Sequence, residues 1–258
     1  MSERIIVLKF GGSVLLDELH VRAAAEEVSR FVREGYRVVA VVSALEGTTD
    51  RLLAQARQYG PRPHEAATAT LLATGELTST ALLGLALDTF GVSVETLDAA
   101  GVGLRTTGEV LDSSPVALDT VAVRSALARV RAIVVPGFVG RDERNRTTLL
   151  GRGGSDLTAL FIARHLGAEC RLVKDVDGLY EWDPARPGPA PRRYATLSWE
   201  GALALDGTIV QHKAVRWARD HGLSFDVGAL GAARATRVGA FAVALDPASE
   251  EEEAVHAA

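Results

Sequence analysis

The sequence predicts an α/β fold, a largely parallel sheet covered by helices on both faces. Three observations lead there. Short β-branched runs alternate with stretches of helical periodicity for most of the length. Runs such as "RVVAVVS" and "AIVV" are apolar without alternation, as in strands buried on both faces. Glycine-rich turns follow strands and lead into helices, the junction at which such sheets seat anions.

The elements follow in order. "RIIVLKF" (4–10) reads as a strand ended by Gly11 and Gly12, and residues 19–34 as a helix with Val21, Ala24, Ala25, Val28, Phe31 and Val32 on one face. "RVVAVVS" (37–43) is the second strand. Helical patterns then occupy 48–59, 64–73 and 76–90, before strands at 92–97 and 132–140. The latter runs into "RDERNR", most simply a solvated turn. "LTALFIARHL" is a long apolar helix, and 171–176, 223–228 and 240–245 complete the strands. "WDPARPGPAPRR" (182–193) can be neither helix nor central strand. Patterning resumes too soon after it for an independent domain, so residues 1–246 are expected to form one domain with lobes of about 1–150 and 151–246. An acidic tail, 247–258, is expected to fray.

Composition narrows the function classes. Of 258 residues, 47% are apolar and 24% charged, enough for a substantial core. A net charge of −5 argues against a nucleic-acid surface, although an ATP site can be basic locally. The lone Cys170 forbids an internal disulfide and suits a reducing interior. The six histidines lack ligand spacing, so no metal cage is assigned. "MSERIIVLKF" is too short an apolar run for a signal peptide, and no stretch reads as a membrane span. The expectation is a soluble cytoplasmic protein.

Three stretches carry candidate chemistry. In "VLKFGGSV", Lys9 ends a buried strand, and Gly11, Gly12 and Ser13 precede a helix. A Walker A loop has its lysine after the glycines, so this is not one. Lys9 instead projects from the carboxyl edge of the sheet, and the glycines let a polyphosphate approach the backbone. The bland alternative is a tight turn beside a solvated lysine. In "GRGGSD" (151–156), Asp156 stands where a dinucleotide fingerprint needs its third glycine, which excludes a hydride-transfer reading. Arg152 suits a carboxylate or phosphate. Gly153 and Gly154 open the turn, and Ser155 or Asp156 is a candidate N-cap. An aspartate in an anion-binding turn is costly unless it orients a lysine or a metal-bound phosphate, which favours Asp156 as an organiser. "KDVDGLYEWDP" sets Lys174, Asp175, Asp177, Tyr180 and Asp183 after a strand, either as a simple Asp-Gly turn or as a nucleotide loop. In "LLATGELTST", Glu76 reads as a carboxylate at a loop–helix junction, favoured there by the dipole.

Together these pieces resemble the amino acid kinase family and, within it, aspartokinase catalytic domains. The matching stretches are "KFGGSV", "VVSALEGTTDRLL", "TGELTST", "VPGFVG", "TTLLGRGGSDLTA", "KDVDGLYEWDP" and "GTIVQHKAV", over roughly residues 4–230. The resemblance implies a three-layer α/β/α sandwich. It implies ATP with Mg²⁺ on the C-terminal half and the amino acid on the N-terminal half, with phosphoryl transfer to the side-chain carboxylate of L-aspartate. By position, Lys9 would stabilise the transferring phosphoryl and Asp156 would orient that lysine. Arg152 would clamp the substrate α-carboxylate, Glu76 would hold its ammonium, and Ser43, Thr49 and Phe138 would line the pocket. Lys174, Asp175, Asp177, Tyr180 and Asp183 would surround the nucleotide, and a homodimer through N-terminal-lobe helices is implied. The chemistry is consistent with these roles, because a carboxylate needs no general base and the difficulty lies in bringing two anions together.

The match departs from the family pattern at three places. "KFGGSV" is one small hydroxyl residue shorter than usual, and Lys174 stands where a threonine is common. Ile209 stands where a lysine is expected to reach the nucleotide phosphates, leaving Lys213 or Lys174 to supply that charge. The chain also stops where most aspartokinases begin their ACT domains, so insensitivity to lysine or threonine is expected. Two other readings share the fold: a kinase for another amino acid, carboxylate or phosphate, and a non-catalytic nucleotide-binding protein. Arg152 with Glu76 suits a zwitterionic acceptor better than a phosphate.

Overall fold

The computed structural model describes residues 4–187 and 190–247, so the expected acidic tail from 248 onward lies outside the described residues. The first half of the chain builds β1 (Ile5–Phe10), α1 (Glu18–Arg33), β2 (Arg37–Val42), α2 (Thr48–Arg57), α3 (Glu65–Thr89) and β3 (Val94–Thr96). Then come β4 (Arg105–Gly108), β5 (Ser113–Ala117), α4 (Thr120–Arg129), β6 (Ala132–Pro136), β7 (Val139–Arg141) and β8 (Thr147–Leu149). The second half adds α5 (Gly154–Leu166), β9 (Glu169–Lys174), β10 (Tyr194–Ser198), α6 (Trp199–Ala204), α7 (His212–Asp220), β11 (Phe225–Ala229), β12 (Thr236–Gly239) and β13 (Ala244–Leu245).

Nine strands form one sheet in the order β13-β10-β12-β11-β9-β1-β2-β6-β3, and β5-β4-β7-β8 form a second, smaller sheet. From β3 to β11 every pairing is parallel; β12 then runs antiparallel to β11. The alternating faces of β1 divide the core. Ile5 and Val7 pack with α4, α5, α6 and α7, whereas Ile6, Leu8 and Phe10 pack with α1 and the C-terminal half of α3. The result is the expected three-layer sandwich. A third apolar cluster joins α2 and the first half of α3 to β7 and β8. β1 is flanked by β2 on one side and β9 on the other, so the chain reverses its direction of sheet growth there, opening a crevice at the carboxyl ends of β1 and β9.

Three expectations need correction. The helices expected at 64–73 and 76–90 are one helix, α3, running through Gly75. A Cβ on Gly75 would lie 2.9 Å from the Ala44 side chain, so this glycine marks a close approach and not a break. The merged helix is long and apolar enough to cross a membrane by length and composition, which the reading in two pieces concealed, yet half of that window is buried in this protein. The strand expected at 132–140 is broken between β6 and β7, where Phe138 takes a positive φ of 65°. The strand expected at 240–245 pairs only at Ala244 and Leu245. The short elements of the small sheet, "RTTG" and "SSPVA", are too polar to show as strands in the sequence.

Candidate active site

Strand periodicity brings two lysines together. Lys9 faces the same side of β1 as Val7, and Lys174 the same side of β9 as Leu172; these strands are neighbours. Both ammonium groups therefore reach the carboxyl edge beneath the start of α5, whose first turn carries Asp156. Lys9 Nζ lies 2.7 Å from Asp156 Oδ1, and Lys174 Nζ donates to both Asp156 oxygens, at 3.1 and 2.9 Å. All three side chains are buried. Burial opposes ionisation of Asp156, but Lys174 and Lys9 overcome it and hold the carboxyl at about 2. Burial lowers Lys174 to about 8; Asp156 acts in the opposite sense and Lys9 adds to the lowering. The placement of Lys9 also explains Gly11, where a Cβ would stand 2.7 Å from the Lys9 ammonium.

The glycine turn is shaped by the same needs. Gly153 caps α5 with a φ of 77°, and a Cβ there would meet Gln211 Cβ at 2.6 Å. A Cβ on Gly154 would meet Phe138 Cδ2 at 2.9 Å. Neither Ser155 nor Asp156 is the N-cap; both lie inside the first turn, and the Asp156 carboxylate is committed to the lysines. Phe138 is locked over this turn, its N–H donating to Thr158 Oγ1 at 3.1 Å.

A cavity of about 390 Å³ opens in front of this cluster. Lys9, Asp156 and Lys174 line it, with Gly12 and Ser13 after β1. Ser43, Thr49, Glu76 and Phe138 form another part of its wall, and Arg152, Gly153, Gly154 and Ser155 a third. Thirteen of the residues singled out in the sequence thus share one cavity. Glu76 is not at a helix start. It lies in the middle of α3, buried, with Oε1 accepting the Ala44 N–H at 3.3 Å and Oε2 unpartnered. Burial raises its carboxyl to about 7, against the pull of the Glu76 and Ala44 N–H groups. Arg152 is exposed, and no hydrogen bond or ion pair holds its guanidinium among the described residues. Sequence reasoning missed Glu46, Asp50, Thr208 and Gln211 on this wall. All four sit in stretches quoted for their resemblance, and their types alone do not separate them from surface residues.

A second cavity, about 260 Å³, is lined wholly by residues from 176 to 225. Its lining includes Leu179, Leu205, Ile209 and Val210 with the aromatic Tyr180 and Trp182, a chemistry suited to a flat heterocycle, and Asp183 and Asp206 at the polar side. Burial and the neighbouring Asp177 push the Tyr180 hydroxyl up to about 12, and that hydroxyl donates to Asp177 Oδ1 at 2.6 Å. Trp182, Leu205 and Asp206 were not foreseen, since nothing local marks them. Thr208 and Ile209 line both cavities and so mark their junction. Asp175 and Asp177 line neither cavity; Asp175 is exposed. Lys213 is also elsewhere: its ammonium donates to Asp112 Oδ1 at 2.6 Å and to the Leu150 carbonyl at 2.7 Å.

Among the described residues no group of three or more His, Cys, Asp or Glu side chains is placed to hold a metal ion. With both Asp156 oxygens engaged by lysines, the cluster favours an incoming anion over a bare cation.

The chain is similar to known proteins over most of its length. The amino acid kinase family model matches residues 4–224. The aspartokinase of Thermus thermophilus is 33% identical over 227 residues, and that of Mycobacterium tuberculosis 36% over 234, each alignment covering 86% of this chain. They cover 56% and 54% of those proteins, so the chain spans about half the length of the curated relatives it matches. Among solved structures, the aspartate kinase from Synechocystis superposes with a TM-score of 0.77 at 32% identity, over 92% of this chain and 40% of that one. E. coli aspartokinase III, solved with aspartate and ADP, shares the fold with a TM-score of 0.77 at 24% identity, over 92% of this chain and 64% of that one. A family model that matches residues 4–224 and relatives 33–36% identical over 86% of the chain show that the chain belongs to the amino acid kinase family.

Proposed function

We propose that this chain transfers the γ-phosphoryl group of ATP to the side-chain carboxylate of L-aspartate, giving 4-phospho-L-aspartate and ADP. One observation carries the reading. The buried, half-unpartnered carboxylate of Glu76 and the unengaged guanidinium of Arg152 line the same cavity as Lys9 and Asp156. An ammonium acceptor and a carboxylate clamp beside a phosphoryl-stabilising lysine suit an amino acid with a second carboxylate. Its close relatives carry the name aspartokinase.

In this reading Arg152 holds the α-carboxylate and Glu76 the α-ammonium, which leaves the side-chain carboxylate facing Lys9. An oxygen of that carboxylate attacks the γ-phosphorus. The bond to the bridging oxygen of ADP breaks, and ADP leaves with the electron pair. No proton is transferred, so no general base is required. Lys9 and the N–H groups of the glycine turn neutralise charge on the transferring phosphoryl, and Asp156 keeps Lys9 in place. The base and ribose would lie in the cavity of Tyr180 and Trp182. Mg²⁺ would arrive with the nucleotide and neutralise phosphate charge; without a carboxylate cage among the described residues, its ligands would be phosphate oxygens and water.

We further propose a cytoplasmic homodimer, paired through helices of the first half; Leu77 and Leu85 of α3 are exposed in the single chain, which supports such a contact. Sedimentation of L85K would give monomers if α3 forms the contact, and an unchanged dimer if it does not.

The deciding experiment is ATP turnover with Mg²⁺ against a panel of acceptors, trapping acyl phosphate with hydroxylamine. Aspartate-dependent hydroxamate that disappears in K9A and D156N supports the reading. Turnover confined to another acceptor overturns the substrate, and ATP binding without turnover on any acceptor overturns the activity.

A further inference from the structure

We infer that Lys174 is the second phosphate-binding cation of the transfer site, in direct contact with the terminal phosphoryl group. The inference rests on the kinase reading and deepens it. The first support is charge balance. Three cations line the central cavity, Lys9, Arg152 and Lys174, and Arg152 is the exposed one. Lys9 and Lys174 are 7% and 8% exposed at the side chain, and they share a single carboxylate, Asp156. Two ammonium groups against one carboxylate leave a buried excess of one positive charge. Uncompensated charge of this kind is expensive in an interior, so the cluster is built for an anion it does not itself contain.

Among the described residues, Asp156 is the anion that Lys174 contacts. Asp156 comes from α5 and Lys9 from β1; on the remaining side β11 pairs Ala229 with Lys174. Glu76 lines the same cavity, but its Oε1 is turned to the Ala44 N–H and its Oε2 has no partner, so it does not neutralise the lysines.

The second support is position. A nucleotide whose base fills the cavity of Tyr180 must pass its phosphates through the junction at Thr208 and Ile209 to reach Lys9. Neither residue carries charge. Lys213, one turn further on, is held by Asp112 and the Leu150 carbonyl and lines neither cavity. Lys174 does line the central cavity, at the end of the strand next to Lys9. Burial, with Lys9 adding to it, lowers Lys174 to about 8 in the ligand-free protein, so an anion in contact would raise it again.

Calorimetric binding of Mg-ADP and of a non-hydrolysable Mg-ATP analogue tests this on the intact chain. Wild type should bind the analogue more tightly than ADP. K174M should lose about tenfold or more of the analogue affinity with ADP affinity within about threefold, and K213M should keep the difference. Turnover of K174M should fall by about 10²–10³-fold. In the K174M background, I209K should recover part of the analogue affinity by placing a lysine at the junction. A K174M protein that retains the full preference for the analogue overturns the inference. Should K174M not fold, wild type decides alone: analogue binding at pH 8 should take up more protons than ADP binding, read from the dependence of heat on buffer ionisation. Equal uptake for both overturns it. These binding readouts need no acceptor, so an error in the acceptor leaves them intact, whereas a wild type that binds neither nucleotide overturns both readings.

Discussion

Glu76 accepts the backbone N–H of Ala44 with one oxygen and leaves the other buried and unpartnered in the middle of α3. In the ligand-free protein this is an energetic cost, and its sign can be worked out. The folded carboxyl titrates at about 7, against 4.5 for an unperturbed one. Between those values the folded protein keeps a proton that the unfolded chain has lost. Stability therefore falls as pH rises through the window, by on the order of 3 kcal/mol at most. Thermal unfolding of ligand-free E76Q should show a flatter profile from pH 4.5 to 7 and a higher Tm than wild type at pH 8. Its affinity for aspartate should drop by about tenfold or more, because the ammonium loses its counter-charge. An E76Q protein less stable than wild type at pH 8 would falsify this account.

Arg152 is the complementary case. Its guanidinium is exposed and lines the cavity, with no hydrogen bond or ion pair among the described residues. Removing it should cost the fold nothing measurable, within about 0.5 kcal/mol. R152M should raise the KM for aspartate by about 10–100-fold, the loss of a charge-assisted contact, with nucleotide affinity unchanged. Steady-state kinetics beside a melting curve checks both halves. A drop in Tm together with the KM effect would mean that Arg152 shapes the turn instead of holding substrate.

Lys213 ties distant parts of the chain. It joins α7 to Asp112 in the turn between β4 and β5, and to the Leu150 carbonyl just before the glycine turn. The pair is partly exposed, at 34% and 64% of the side chains, so its value is about 1 kcal/mol. K213M should therefore lower Tm by about 2–4 °C. D112N, which leaves the bond to the Leu150 carbonyl, should give a smaller loss, and the double variant K213M/D112N less than the sum, since either change already removes the ion pair. Strictly additive losses would show that the two residues act separately.

The parts of this molecule that were legible in the sequence are those whose pattern is local. β1, β2 and β9 are legible because buried parallel strands are continuous apolar runs, and Lys9 and Asp156 stand out as candidates because each is a charge beside glycines. Glu76 was found but misplaced. Gly75 reads as a helix start in one dimension, whereas the reason for it, the approach of Ala44, lies 31 positions away in the chain. The placement of Lys174 beside Lys9 and the diversion of Lys213 to Asp112 are not legible in the sequence for the same reason. Both depend on which strand lies beside β1 and on where the turn between β4 and β5 falls, and sheet order is not written in any local window. Asp175 and Asp177 show the converse, a motif position whose side chain lines neither cavity.

The two ends of α5 allow the anion turn to be tested against an internal control. Gly153 and Gly167 both cap this helix in the left-handed region, with φ of 77° and 62°. A side chain at either position costs about 1–2 kcal/mol from the backbone alone. They differ in what surrounds them. A Cβ at Gly167 has nothing within 4 Å, whereas one at Gly153 would stand 2.6 Å from Gln211 Cβ, against the wall of the central cavity. G167A should therefore lower Tm by a few degrees and leave kcat/KM near wild type. G153A carries the same backbone cost and must also push the turn away from Gln211, which moves Arg152 and the start of α5 relative to Lys9. A displacement near 1 Å at such a site costs about 100-fold in rate. The expected result is a loss of stability in both variants, larger in G153A, with turnover lost only in G153A. Equal turnover in the two variants would mean that the turn tolerates displacement and that its geometry does not set the rate.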